Sequence, residues 1–575
     1  MQANITLKIE DGKRLLNKFS KPHNPSRKDP RKRILPSEEF EDAAKLYEYN
    51  LGDIITEAEI SEVIPPLSEY EHQVWLLDQK INFTGVHIDR KGLDDCISII
   101  EQAAAKYDRE IIGWTHGAIT SASQVKKIGE WLSSQGVFMD SLEADEVEET
   151  LKKEDLPHHC RRVLEIRASL GSASVKKLFA ILRRLTNDGR LHDLFAYCGA
   201  DRTGRWAGRG PQPQNLPAKG PSSINDWNIE AVERALSVIG TRNLAFVEAV
   251  YGDAVAAVSG CLRGLFSAPD GHELICSDFS AIEAVCLAEL AGETWRQEVF
   301  RTHGKIYEES ASKITGIPFE EFIRHKEQTG SHHPMRKKIG KVAELASGYG
   351  GWIGAWRAFG ADDHFDNEWD LKQAIIKWRE ESPAIVEFWG GQWRRRSHGW
   401  AFDPELFGLE GAAVSAILNP GYSFSCRSIT YFVQNDILFC RLPSGRNLVY
   451  HQPRLTQGTD NYSKKPVWKI SYMGWNSDYK KGAIGWMRLN TYGGKLCENV
   501  TQAVARDILA YAMLNLDKAG YTIVLHVHDE IVVEVLIGTG SIEEIERIMG
   551  TMPYWCKNWP IKAAGGWRGK RYRKD

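Results

Sequence analysis
The sequence predicts an α+β fold, and three stretches carry that prediction. Leu274-Ile275-Cys276 is a short apolar run that reads as a buried strand, after which Ile282, Ala284, Val285, Leu287, Ala288 and Leu290 recur at helical spacing up to Gly292. Tyr521 to Val527 and Ile531 to Val535 flank His528-Asp529-Glu530, the pattern of a tight hairpin with a polar tip. Long amphipathic segments from Lys91 to about Arg184 add a helical region.

The first two stretches each place an aspartate, Asp278 or Asp529, at the end of an apolar strand. If both ends adjoin in one sheet, like charges raise one carboxyl pKa unless a cation holds them together. Mg²⁺ takes one or two carboxylates and leaves its other positions to water and phosphate oxygens, as in phosphoryl-transfer sites. Singly, Asp278 reads better as a helix cap and Asp529 as a turn residue than either does as a metal ligand. A third element decides between the readings. In Lys337 to Gly351, Lys337, Lys341, Leu345 and Tyr349 are spaced by four and form one drifting stripe on a helix. Cations can hold a triphosphate while the apolar part of the stripe covers a base. A solvated basic face explains the lysines but not the Leu and Tyr that continue them into a glycine-rich end. Gly340, inside the helix, costs roughly 1 kcal/mol relative to Ala, which points to close approach by a ligand or another backbone.

In this order the three signatures resemble those of family A DNA polymerases, the class of bacterial DNA polymerase I, and most closely its phage and prophage branch. Asp278-Phe279-Ser280-Ala281-Ile282-Glu283 looks like motif A, Lys337 to Gly350 like motif B and His528-Asp529-Glu530 like motif C. Thr203-Gly204-Arg205 with Pro211 to Pro217 is similar to the family's template-primer segment. Thr491 to Leu496 and Asn499 to Leu509, including Gln502, look like the phage branch ahead of motif C. The likeness runs from about Pro65 to the terminus, and five motifs in family order are far more specific than any one.

The resemblance implies a right-hand polymerase fold of palm, fingers and thumb, together with a role for each matching residue. Asp278 and Asp529 match the metal-binding aspartates, and the Phe279 carbonyl matches a main-chain ligand of two Mg²⁺ ions, for which Mn²⁺ can substitute. Lys341 matches the lysine that contacts the phosphates and protonates the leaving group. Glu283 matches the residue that crowds the sugar 2′ position, and Tyr349 a tyrosine near the templating base. Arg205, Gln214, Asn215, Gln502 and His528 match primer-template contacts, and Gln212 stands in the same segment. Glu530 falls beside the metals, where a supporting role and a structural one fit equally. The implied activity is template-directed DNA synthesis from dNTPs on a primer-template, with pyrophosphate release by a two-metal mechanism.

Departures from the family pattern are equally specific. Lys337 stands where motif B usually begins with arginine, with Arg336 one residue earlier; lysine lacks the planar fork that grips two phosphate oxygens. Leu345 replaces an aromatic residue, and Tyr307 stands where many members have a phosphate-contacting histidine. Glu498 and Gln212 each replace a frequent asparagine.

Composition agrees with this reading without producing it. The net charge of the 575-residue chain is −3, so a DNA cleft has to be locally basic against an acidic remainder. The 10 cysteines have no CxxC spacing, which argues against a zinc site or disulfide framework and suits a reducing cytoplasm, the host's if the chain is phage-encoded. No apolar stretch reaches membrane-spanning length.

The expected domains are 1–66 as the remnant of a 3′–5′ exonuclease-like domain, 67–188 thumb, 189–294 palm with motif A, 295–398 fingers and 399–575 palm with motif C. The basic, proline-bearing stretch 12–37 alone reads as a nucleic-acid arm. The resemblance instead makes Gly12 to Pro22 and Tyr49 to Asp53 the end of a proofreading domain. Its upstream carboxylate motifs are missing, so no intrinsic proofreading is expected unless a separate exonuclease chain supplies them; replisome proteins are further candidate partners. Beyond about Leu191 the pattern reads as strands and loops, and Trp400 to Gln434 is uninformative. Two other functions are consistent with parts of the pattern: a single-subunit RNA polymerase, against which Glu283 and Gln214-Asn215 argue, and a catalytically dead primer-template binder.

Overall fold
The computed structural model describes residues 11–573 apart from 22, 24, 27–28, 218, 223–227, 366, 391, 397–398, 404–407, 460–465 and 478–481. Pro22, which ends the exonuclease-like segment, lies outside the described residues. The chain divides into two compact units, Met1–Val74 and Trp75–Asp575.

In the first unit, helix α1 (Gly12–Ser20) packs on α2 (Phe40–Val63). The contact is close because Gly12 has no side chain: a Cβ there would lie 2.1 Å from the Tyr49 ring. Part of the basic stretch is neutralised locally. Lys18 pairs with Asp42 at 2.5 Å, and Arg31 with Asp29 at 2.7 Å and Glu39 at 3.0 Å.

The second unit begins with the expected helices, from Arg90–Trp114 to Ala173–Arg184. Residues between Ile111 and Ile166 close a small core of their own around Ile128, Leu132, Val163 and Leu164. The stretch after Leu191 departs from the expectation of strands and loops, for it holds three helices, Ile229–Ile239, Leu244–Tyr251 and Ala254–Cys261. Each is capped by a side chain, of Asn228, Asn243 or Asp253, that accepts a first-turn N–H. Those caps and the intervening glycines look like loop punctuation in the sequence, whereas here they start and stop short helices.

Strand β1 (His272–Phe279) leads through Ser280-Ala281 into α3 (Ile282–Ala291), which Gly292 ends in the left-handed conformation at φ 67°. Helices α4 (Thr294–Arg301) and α5 (Ile306–Thr315) follow. Next comes the segment Arg336–Lys341, continued by α6 (Val342–Ser347), and then α7 (Glu368–Glu381). An antiparallel meander of six strands comes next: β2 (Ser423–Cys426), β3 (Ile429–Gln434), β4 (Ile437–Arg441), β5 (Asn447–Thr459), β6 (Pro466–Asn476) and β7 (Gly485–Thr491). The buried helix α8 (Gly493–Lys518) leads to β8 (Thr522–Val527), β9 (Glu530–Leu536) and β10 (Ala563–Gly569). A second sheet has the order β8-β9-β1-β10, entirely antiparallel. Among the described residues no single helix is long and apolar enough to cross a membrane.

Candidate active site
Register brings the two acidic signatures together. Strand β9 pairs with β1 so that Glu530 lies opposite Asp278, and the Phe279 N–H donates to the Asp529 carbonyl at 3.1 Å. The motif A and motif C turns therefore meet at one end of the sheet. His528 and Asp529 form the two-residue connection between Val527 and Glu530, with His528 held at φ 56°, a left-handed conformation uncommon for a residue with a side chain. Asp278 is exposed and Asp529 half-buried. Burial first, and then the charge of Asp278, push the Asp529 carboxyl up to about 6. Burial pushes Glu530 up to about 7. Two hard oxygen donors that repel each other at one edge fit a divalent cation, whose charge would reverse that shift. Among the described residues no three His, Cys, Asp or Glu side chains are placed to hold one metal ion together, so main-chain oxygen, substrate or water has to complete any coordination.

Beside this edge opens a cleft of about 740 Å³, lined among others by Arg205, Glu283, Tyr307, Leu345, Tyr349, Gln502, His528 and Asp529. Eight expected site residues thus share one wall-to-wall space. Glu283, in the first turn of α3, joins two of its walls: its carboxylate accepts from Arg205 at 2.8 Å and from the Tyr349 hydroxyl at 3.1 Å. Burial and the Glu283 charge hold the Tyr349 hydroxyl far above its ordinary pKa, so it stays a donor. Arg205 also reaches His528 at 3.5 Å.

The motif B segment is helical but not evenly wound. Arg336–Lys341 is π-helical, with bonds one residue longer than those of an α-helix, so the four-residue stripe of Lys337, Lys341, Leu345 and Tyr349 is not a straight line. Gly340 lies within this segment, and a Cβ there would lie 1.9 Å from the Tyr307 carbonyl oxygen. The neighbour that glycine admits is therefore another backbone, that of α5. Lys337, Lys341 and Leu345 are exposed. Arg336, expected to reach a nucleotide, is engaged within the protein: its Nε donates to Glu308 at 2.7 Å and its guanidinium sits 5.1 Å from the Tyr307 ring centre.

Gln214 joins Arg205, His528 and Arg506 around a small recess of about 40 Å³, whereas Gln212 and Asn215 are exposed and bond to each other at 3.1 Å. Sequence reading overlooked three residues here. Arg506 is buried on α8, stacks 4.8 Å from the Trp206 ring and donates to the Gly204 carbonyl at 3.1 Å. His526 is held neutral by burial, its pKa down at about 3, against Phe195. Glu344, on the inner side of the motif B helix, pairs with buried Arg296 and accepts from Ser310 at 2.6 Å and Trp378 at 3.0 Å. For Arg506 and Glu344 the available signal was a charge set among apolar helix positions.

No family model matches the sequence. The DNA polymerase of Bacillus phage SP02 is 36% identical over 571 residues, covering 99% of this chain and 81% of that protein. DNA polymerase I of Treponema pallidum is 24% identical over 200 residues, 35% of this chain and 15% of that one. Among solved structures, the POL domain of Pol1 from M. smegmatis, in complex with DNA primer-template and dNTP, superposes with a TM-score of 0.52 at 16% identity, over 98% of this chain and 79% of that one. That likeness gives the fold, a polymerase domain of mixed α+β structure. The likenesses favour neither an RNA polymerase nor an inert DNA binder. With apposed motif A and motif C aspartates beside a motif B helix, and a phage polymerase matching nearly end to end, the chain belongs to the family A DNA polymerases, in their phage and prophage branch, and carries out template-directed DNA synthesis.

Proposed function
We propose that the cleft takes a dNTP and a primer 3′ end on a DNA template, with residues 67–188 as thumb, 189–294 and 399–575 as palm and 295–398 as fingers. The observation that carries this reading is the meeting of Asp278 and Asp529 at one sheet end beside the cleft that holds Leu345 and Tyr349. The carboxylates of Asp278 and Asp529 and the Phe279 carbonyl would hold two Mg²⁺ ions. When bound, these supply activation of the primer hydroxyl and charge neutralisation on the triphosphate.

The protein's own part is placement. Lys337 and Lys341 meet the triphosphate from the exposed face of the helix, where Lys341 gives its proton to the departing pyrophosphate. Leu345 covers the incoming base, and Tyr307 borders the phosphate end. Tyr349, fixed by its bond to Glu283, sits under the templating base. Glu283 itself crowds the sugar 2′ position, and its two donors hold it there. Arg205, Gln214, Gln502 and His528 line the minor-groove side of the primer terminus, where hydrogen-bond acceptors are read with little sequence preference. Gln212 and Asn215 meet the duplex farther out, and Glu530 supports the Asp278 strand end. Primer extension with dNTPs or with rNTPs tests the proposal: dNTP-dependent, Mg²⁺-dependent extension is expected. Extension that survives loss of both aspartates would refute it.

A further inference from the structure
The six-stranded sheet has one face that the catalytic reading does not use. Its inner face is core, with Tyr431, Leu438, Tyr450, Ile470 and Tyr472 all buried. On the outer face the register sets Phe432, Phe439 and Val449 side by side across three strands and pairs Trp475 with Trp486. The Phe432 and Phe439 rings stack at 5.1 Å between centres and 14° between planes, and the Arg441 guanidinium lies 4.9 Å from the Phe432 centre. His451 and Trp486 lie 5.5 Å apart, and Val449, Trp475 and Trp486 are 41%, 51% and 56% exposed.

Charge on this sheet is one-sided. The six strands contain no Asp or Glu but carry Arg441, Arg454, Lys469 and Arg488, although 76 acidic residues are spread over the whole chain. Rings on the outer face, one pair of them stacked, interleaved with cations on strands that hold no carboxylate, suit unpaired nucleotides: bases stack on rings and guanidinium planes while phosphates meet the cations. The sheet is also continuous with the cleft. Strand β7 ends at Thr491, Tyr492 lines the cleft, and a Cβ on Gly494 would lie 2.2 Å from the Tyr349 carbonyl oxygen.

We propose that this open face binds the single-stranded template ahead of the active site, as a stacking platform for nucleotides not yet copied. The inference rests on the placement of Tyr349 at the templating base. The full chain is tested by anisotropy and by extension on three substrates: a primer-template with a single-nucleotide 5′ template overhang, one whose overhang exceeds the roughly 4–16 nucleotides of a typical single-strand site, and a fork whose long unpaired arm is the displaced strand. Two variants are compared with wild type, Phe439→Ala with Trp486→Ala, and Arg454→Glu with Lys469→Glu. The second alters exposed side chains alone and guards against misfolding in the first.

Wild type is expected to prefer the long template overhang. Both variants should lose that preference, by roughly tenfold in affinity, while extending the single-nucleotide overhang like wild type. Unchanged affinity for the long overhang in both variants overturns the proposal. So does an equal loss on short and long substrates, or a preference for the displaced arm. Failure of wild type to extend even the short overhang would instead overturn the catalytic reading, which separates the two.

Discussion
The four-stranded and six-stranded sheets of the second unit are both antiparallel, yet they are built for opposite kinds of ligand. In the four-stranded sheet β8 and β1 are buried over consecutive residues, Ile523 to Val527 and Leu274 to Ser277, and Asp278, Asp529 and Glu530 gather at one end. In the six-stranded sheet, burial alternates along β5, and cations and rings are spread over the open face. Burial on both faces gives a rigid floor, on which two carboxylates are held against their own repulsion. Burial on one face leaves an extended surface. The first arrangement concentrates charge for chemistry, and the second distributes it for contact.

Breaking the acidic edge should have the largest effect. Asp278→Ala or Asp529→Ala is expected to lower primer extension by about 10³-fold or more, several kcal/mol of transition-state stabilisation. DNA affinity, which rests on other groups, should change little. Single-turnover extension beside a salt titration of binding measures both. Extension retained within about tenfold of wild type would remove the metal assignment.

The legibility of the two sheets differed for the same physical reason. A strand buried on both faces is a continuous apolar run, so Leu274 to Cys276 and Ile523 to Val527 stand out, and an aspartate at the end of such a run is conspicuous. The meander mixes Arg454, Lys469, Gly458 and Gly474 into strands with one wet face, and Trp400 to Gln434 accordingly gave no signal for β2 and β3. The helices between Ile229 and Cys261 are too short to show periodicity between their caps. In the site, Glu283, Tyr349 and Asp529 were legible as motifs, but the bonds joining Glu283 to Arg205 and Tyr349 depend on tertiary placement. Gly340 marked a close approach in the sequence, and the neighbour proved to be the Tyr307 backbone; the π winding itself left no trace.

The wall facing the acidic edge is held by an interior charge, which gives a second way to sharpen the contrast. Glu344→Ala would leave Arg296 buried without its carboxylate partner, a loss of about 3 kcal/mol that denaturant unfolding should register. Glu344→Gln keeps an acceptor for Ser310 and Trp378 and should lose less. Equal stability of both variants and wild type would mean that the motif B helix is positioned by packing alone.

Sugar selection is a smaller effect. Glu283→Ala removes the acceptor of Tyr349 and Arg205 and opens the space beside them, so the dNTP to rNTP incorporation ratio should fall by roughly ten- to a hundredfold, 1.4–2.8 kcal/mol. Glu283→Gln, which still accepts from the Tyr349 hydroxyl, should retain most of the discrimination. An unchanged ratio in Glu283→Ala would place sugar selection elsewhere in the cleft.

The smallest effect reads the strain of the acidic edge directly, without catalysis. With Asp529 raised to about 6 in the fold, the folded protein keeps a proton that the unfolded chain, near the ordinary value of 3.8, releases. The contribution of Asp529 to the stability of the metal-free protein is therefore fullest below about pH 4 and is lost as pH rises through 6; Glu530, raised to about 7, acts in the same direction. Asp529→Asn abolishes that titration at one group. In chelator it should match wild type near the acid end and exceed it at pH 8 by at most about 3 kcal/mol, less whatever solvent screens, read as a difference in Tm that widens as pH rises from 4 to 6. Added Mg²⁺ should raise the wild-type Tm and leave Asp529→Asn nearly unmoved, because the cation offsets a repulsion that the variant lacks. A Tm difference that stays flat with pH would show the two carboxylates to be relaxed before any metal binds, and the edge would then lose its claim to a built-in demand for a cation.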